Sequence, residues 1–324
     1  MATYLGTHGG KIQTYSTDPT YPNTGEVWYN STSNTIKMEA TTSAGAWATG
    51  GALNTARDQA AGSGTQTSTL VFGGGPPNKD ETESYNGSNW TEMNDLNTAR
   101  RGIAGAGASN TSALAFAGGS PGVAVTESWN GSNWTEVNDL NTARYFPGGT
   151  GIITAAICYG GSTPSATAAT ETWNGTNWTS VNSLNTARTA PASAGVQTSA
   201  LCIGGSPPVT ANTELWNGTN WTEVNDLNTA RVGAGGAGAS NTSAIAFGGG
   251  VPYPSAPPPT VPSANTEEWN GTKWTETTDL STARAYIAGS GTQTLALASG
   301  GSDKTNTEEW TGAGSPVVKT IDTD

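Results

Sequence analysis

Across residues 190–227 short apolar runs alternate with clusters of Gly, Asn and Pro, and the same alternation recurs on both sides. A small-residue run at 190–196 meets the turn Gln197-Thr198, followed by Ser199-Ala-Leu-Cys-Ile-Gly-Gly205. A variable loop then leads to Thr213-Glu-Leu-Trp216, the turn Asn217-Gly-Thr-Asn220, and Trp221-Thr-Glu-Val-Asn-Asp-Leu227. Such runs, bounded by turn residues, predict strands. Asn-Gly between two Trp-bearing strands supplies residues that tolerate positive φ, as a hairpin requires. No unit shows the 3.6-residue periodicity of an amphipathic helix.

The unit repeats. Leu-Asn-Thr-Ala-Arg ends at Arg57, Arg100, Arg144, Arg188 and Arg231, and Leu-Ser-Thr-Ala-Arg ends at Arg284. Successive arginines are 43, 44, 44, 43 and 53 residues apart, the last interval lengthened by a proline-rich insertion at 251–265. Each unit holds a double glycine, from Gly74-Gly75 to Gly300-Gly301. A first aromatic follows at Tyr85, Trp129, Trp173, Trp216, Trp269 and Trp310, and a second at Trp90, Trp134, Trp178, Trp221 and Trp274. A period near 44 is that of a four-stranded propeller blade. The sixth unit lacks its second Trp, whereas Trp47-Ala-Thr-Gly-Gly-Ala-Leu53 precedes Arg57 without a first half. This segment is expected to supply the outer strand of the last blade, closing the ring and removing two sheet edges. Val317-Val-Lys-Thr320 is the competing candidate.

The order Arg, apolar strand, Gly-Gly, Glu-x-aromatic, Trp resembles the kelch repeat over roughly residues 46–312. That resemblance implies an all-β fold: a six-bladed kelch-like β-propeller, four antiparallel strands per blade, closed by an N-terminal strand. The expected organisation is an N-terminal adaptor or hairpin at 1–45, the propeller at 46–316 and a C-terminal tail at 317–324. The Asn-Gly turns and the near-identical Leu-Asn-Thr-Ala-Arg depart from typical kelch units and leave the partner class open. Upstream, Gly25-Glu-Val-Trp-Tyr-Asn30 followed by Ile36-Lys37 is similar to short segments of bacteriophage tail-fibre and other virion proteins. There such a segment commonly adjoins a display domain. The alternative is a plain hairpin packed on the propeller.

Composition narrows the function classes. Only 12% of the 324 residues are charged, yet 12 Trp and 9 Tyr separate the chain from disordered sequences. A net charge of −12 argues against nucleic-acid binding. No apolar run approaches the ~20 residues needed to cross a bilayer, so no membrane insertion is expected. The start lacks the regions of a signal peptide, which makes the matches to glycosylation sequons at Asn130 and Asn133 turn chemistry instead. Cys158 and Cys202 fit neither a disulfide framework nor a zinc cluster, and His8 is the single histidine. No cofactor and no metal site are expected.

Six of the seven arginines end repeats, and Glu83, Glu127, Glu171, Glu214, Glu267 and Glu308 sit two residues before the first aromatic. One Arg to one Glu per blade predicts structural ion pairs from Arg57, Arg100, Arg144, Arg188, Arg231 and Arg284. The functional alternative is an anion site in the central channel. Strand alternation sends the one-to-two and three-to-four turns to one face, which is nearly uniform in sequence. The post-arginine and two-to-three connections emerge on the other face and diverge. Its candidate binding residues are Asp58, Gln59, Lys79, Asp80, Arg101, Tyr145, Phe146, Tyr253, Tyr286 and Ile287. Loops on a rigid scaffold commonly carry binding.

The expected function is a non-enzymatic structural or binding protein of a bacteriophage virion, in a tail or surface appendage. It would be made in the host cytoplasm, and its partners would be other virion proteins or a host surface glycan, with assembly as a homo-oligomer in the particle left open. An intracellular kelch-type scaffold is one alternative. A carbohydrate-active enzyme using Asp58, Asp80 or Asp303 is another.

Overall fold

The computed structural model describes residues 12–19, 26–41, 44–252, 260–314 and 316–321. Chain contacts divide the protein into a propeller unit, Ala46–Trp310, and a terminal unit made of Met1–Gly45 with Thr311–Asp324.

The propeller unit holds six four-stranded antiparallel sheets. Blade 1 comprises Ala61–Thr65, Ser68–Phe72, Thr82–Tyr85 and Trp90–Glu92. Blades 2 to 4 repeat this pattern, from Ala104–Ser109 to Trp221–Val224. Blade 5 runs from Gly235–Ser240 to Trp274–Glu276 and carries a small extra hairpin, Gly250–Pro252 with Thr260–Pro262, in its two-to-three loop. Blade 6 takes Ala288–Gly291, Leu295–Ser299 and Thr307–Thr311 from the end of the repeats and Ala46–Thr49 from the start. The inner strands of adjacent blades pack in a closed cycle, with 61–65 against both 104–109 and 288–291.

Tryptophan chemistry explains why Ala46–Thr49 closes the ring. Each outer-strand Trp donates its indole N–H to the hydroxyl of the Thr preceding the repeated Glu in the previous blade. Trp134 reaches Thr82, Trp178 reaches Thr126, Trp221 reaches Thr170 and Trp274 reaches Thr213, at 3.0–3.1 Å. Trp90 continues the cycle to Thr307, and Trp47 completes it to Thr266 at 3.2 Å. Trp47 also lies 5.3 Å from Trp310, the separation that Trp129–Trp134 and its equivalents show at 5.4–5.5 Å. Buried indole N–H groups need such partners, and only a strand in this register supplies the sixth.

The repeated arginines are walled inside the blades. Arg57, Arg144 and Arg188 pair with Glu83, Glu171 and Glu214, and Arg231 with Glu267; Arg100–Glu127 and Arg284–Glu308 close at 2.8 Å. All twelve side chains are almost fully buried. The same Arg57 guanidinium donates to the carbonyl of Glu81, and the Asn54 backbone and side-chain N–H groups donate to the second Glu83 oxygen. Leu53 fills the adjoining core. The Leu-Asn-Thr-Ala-Arg motif is therefore a hydrophobic plug plus a cage that satisfies a buried carboxylate. These guanidinium groups do not line the channel, so the anion-site alternative fails. Burial lowers the pKa of Arg100, and the Glu127 carboxylate opposes that shift. Removing one member of such a pair is costly even where the pair adds little net stability.

Small residues on the inner strands let six strands converge. A Cβ at Gly236 would sit 2.5 Å from the Ser193 carbonyl, and one at Gly289 would sit 2.5 Å from that of Gly236. The two cysteines are buried, free core residues whose thiols burial pushes up to about 12.

In the terminal unit the strands run in the order Gln13–Tyr15, Val27–Asn30, Thr35–Thr41 and Pro316–Ile321. The expected C-terminal tail is thus corrected. Residues 316–321, rich in β-branched side chains, pair antiparallel with 35–41, which offers a free edge. They neither hang free nor close the last blade, and the propeller unit ends at Trp310 rather than at 316. Asp18 organises this sheet, accepting from the Trp28 indole at 3.1 Å, Asn30 at 2.7 Å and Lys37 at 2.7 Å. Those bonds, Lys37 foremost, hold its carboxyl down at about 2.

Candidate functional site

Two residues after each repeated arginine, the chain makes the same sharp turn. Gln59, Gly102, Phe146, Ala190, Gly233 and Tyr286 all take left-handed backbone conformations, with φ between 48° and 63°. Their backbones form a closed cycle. Gly102 N–H donates to Gln59, Phe146 to Gly102, Ala190 to Phe146, Gly233 to Ala190, Tyr286 to Gly233 and Gln59 back to Tyr286, at 2.6–3.2 Å. The cycle surrounds one channel mouth. For any residue but Gly this conformation costs about 1–2 kcal/mol. Glycine occupies two of the six positions, yet Gln, Phe and Tyr occupy three others.

Those larger side chains meet over the mouth. The rings of Phe146 and Tyr286 stack with centroids 5.3 Å apart, and Tyr145 packs on Phe146 at 4.1 Å. The Tyr145 hydroxyl donates to the Gln59 side-chain oxygen at 3.0 Å. Glycine lies beneath by necessity: a Cβ at Gly102 would come within 2.4 Å of the Tyr145 ring, and one at Gly233 within 2.7 Å of Tyr286. The cavity left at the mouth is only about 80 Å³, lined by Phe146, Tyr286, Pro147 and Pro191 among others. Deeper in the channel the cavities are about 120 and 180 Å³, with walls dominated by Gly, Ala and Ser. The channel is therefore too narrow for a ligand of oligosaccharide size.

Charge gathers on one sector of the same face. Asp58 is pushed up to about 6, first by burial and then by the nearby Asp303 carboxylate, with Arg101 opposing. Asp58 Oδ1 and Arg101 Nε are both buried without a hydrogen-bond partner. Burial also raises the hydroxyl pKa of Tyr145 and Tyr286.

Two further grooves open between the proline-bearing loops. One, of about 450 Å³, lies between blades 2 and 3, with Pro121, Tyr145 and Pro164 in its walls. The other, of about 510 Å³, lies between blades 4 and 5, with Pro207, Pro252 and Tyr286 in its walls.

The structure brings Gln59, Tyr145, Phe146 and Tyr286 together at the mouth and sets Asp58 and Arg101 beside them. Ile287 is almost fully buried, packed with Phe247 and Leu280, and also lines the small mouth cavity. Lys79 and Asp80 lie toward the outer part of blade 1, where their carbonyls accept from Arg100 and Leu96. Tyr253 falls outside the described residues. Sequence reasoning missed Gly102, Ala190 and Gly233 as members of the cycle, and the groove residues Ser120, Ser162 and Thr163. The fixed offset of two from every arginine, with glycine at two of the positions, was the signal for the cycle.

Among the described residues, no group of three or more His, Cys, Asp or Glu side chains is placed to hold a metal ion, and no helix is long and apolar enough to cross a membrane. No known family profile and no curated protein matches this sequence. Among solved structures the chain is similar to that of YjhT, with a TM-score of 0.67 at 11% identity, over 84% of this chain and 100% of that one. At that identity the likeness establishes the β-propeller fold alone.

Proposed function

We propose that this protein is a non-enzymatic binding component of a bacteriophage virion, in a tail or surface appendage. Its variable propeller face contacts a host glycan or a neighbouring virion protein, and its terminal unit serves as the docking segment. The observation that carries the binding reading is the left-handed cycle. A backbone repeated six times holds a conformation suited to glycine, yet bulky side chains occupy three of its positions and converge on one surface. Strain of this kind retained at a surface is a recognised pointer to function. The virion part rests on the resemblance of residues 25–37 to phage segments. Mass spectrometry of purified particles tests it: recovery in stoichiometric amount supports the reading, and absence from particles ends it.

A second reading has one observation in its favour. Asp58, raised to about 6 beside Asp303, has a proton to give near neutral pH, as a general acid requires. Oligosaccharide cleavage lost in Asp58→Asn would establish an enzyme and displace the first reading.

A further inference from the structure

The variable face is chemically divided, and its uncharged part has a composition that selects a ligand. The groove between blades 2 and 3 has Ser120, Pro121, Tyr145, Ser162, Thr163 and Pro164 in its walls, and every side chain lining it is uncharged. Pro121 and Pro164 are exposed and Tyr145 is half-buried, so flat apolar surfaces face the space. The hydroxyls of Ser120 and Thr163, on exposed residues, have no hydrogen-bond partner among the described residues, whereas that of Ser162 is held by the Pro164 carbonyl. Tyr145 is fixed from behind by Phe146 and through its hydroxyl by Gln59, so its ring is positioned before any ligand arrives. The second groove repeats the chemistry with Ser206, Pro207, Pro208, Thr260 and Tyr286, again without a charged side chain.

We infer that these grooves bind the uncharged pyranose rings of a neutral saccharide. A sugar ring offers an apolar C–H face, which packs on Tyr and Pro, and an equatorial rim of hydroxyls, which Ser and Thr can answer. The volume of about 450 Å³ lies in the range of small-molecule sites. A carboxylated or sulfated sugar would lose hydration here with no cation among the groove-lining residues to replace it, and a protein of net charge −12 repels it at longer range. The charged sector at Asp58, Arg101 and Asp303 supplies no groove-lining residue; Arg101 borders the groove, its carbonyl accepting from Gly119 and its guanidinium acting on the Tyr145 hydroxyl.

This inference rests on the variable face being a binding surface, and its test separates the two. Titration calorimetry of the full chain would use maltotriose and chitotriose as neutral probes and sialyllactose as the charged one. The expected result is saturable binding of a neutral probe, weaker binding of sialyllactose, and at least a tenfold loss of neutral affinity in Thr163→Trp. That variant fills the groove from an exposed loop without touching the mouth. Ser120→Trp is a second filling variant, and unchanged thermal unfolding shows that both keep the fold. Sialyllactose binding as tightly as the neutral probes, neutral affinity unmoved by both filling variants, or no binding of either neutral probe would overturn the inference. Failure here with the protein present in particles leaves the virion reading standing. Neutral binding at the groove by a protein absent from particles removes only the virion reading.

Discussion

The two ends of the propeller unit share one backbone plan and differ in what their side chains do. At the end with the Asn-Gly turns the side chains repeat along with the backbone. Asn86, Asn130, Asn174, Asn217 and Asn270 each accept from the two backbone N–H groups that close their own turn. Asn94, Asn138, Asn182 and Asn225 then donate to the turn of the following blade. At the opposite end the backbone is equally regular, a closed hydrogen-bonded cycle, but its side chains are Gln, Gly, Phe, Ala, Gly and Tyr. Regularity there is carried by the main chain alone. The side chains are thus free to differ without opening the ring, which is the condition a binding face needs.

The largest effect should come from breaking the framework that both ends depend on. Removing one carboxylate from a buried pair, as in Glu171→Ala, leaves Arg144 uncompensated and should cost about 3–5 kcal/mol in chemical denaturation. Trp47→Ala removes the sixth indole-to-threonine bond and the packing on Phe247 and Trp310, and about 3 kcal/mol is expected from losing a large aromatic. A loss below about 1 kcal/mol for Trp47→Ala would mean that the first strand is dispensable for closure.

Substitutions within the cycle sharpen the comparison. Gly102→Ala should destabilise, because its Cβ would strike the Tyr145 ring. Ala190→Gly should be neutral or stabilising by about 0.5 kcal/mol, the relief of a left-handed alanine set against glycine's extra entropy. Phe146→Gly trades the same relief against lost aromatic packing worth about 0.5–1.5 kcal/mol. Near-normal stability with lost binding is the expected outcome, and equal losses of both would make Phe146 purely structural.

The smallest effects are in pH, and they have opposite signs in the two units. Asp18 is held near 2, below its unfolded value, so its contribution is complete above about pH 4 and fades as pH falls toward 2. Asp58 is raised to about 6, so the folded state favours its protonated form, and stability contributed at low pH is lost as pH rises through 6. Thermal unfolding of Asp58→Asn against the parent should therefore show its largest gain above pH 6, and Asp18→Asn its largest loss above pH 4.

Much of this was legible in the residues, for physical reasons that can be named. The Trp and Arg repeats disclosed six blades because each needs its partner at a fixed distance along the chain. The orphan Trp47 disclosed the closing strand for the same reason. The fate of 316–321 was not legible, since a β-branched run fits any free edge. The near-complete burial of Ile287 was not legible, because a position in a divergent loop says nothing about burial. The grooves were invisible because their walls come from loops of neighbouring blades, more than 40 residues apart in sequence for Ser120 and Thr163.

Hydrogen exchange on the protein within its native assembly, compared with the free protein, tests the central claim most directly. Protection at 120–122, 144–146, 162–164 and 285–287, with the Asn-Gly turns at 86–89, 130–133 and 174–177 unchanged, is the predicted result. Protection confined to those turns, with the loops exchanging as freely as before, would contradict it.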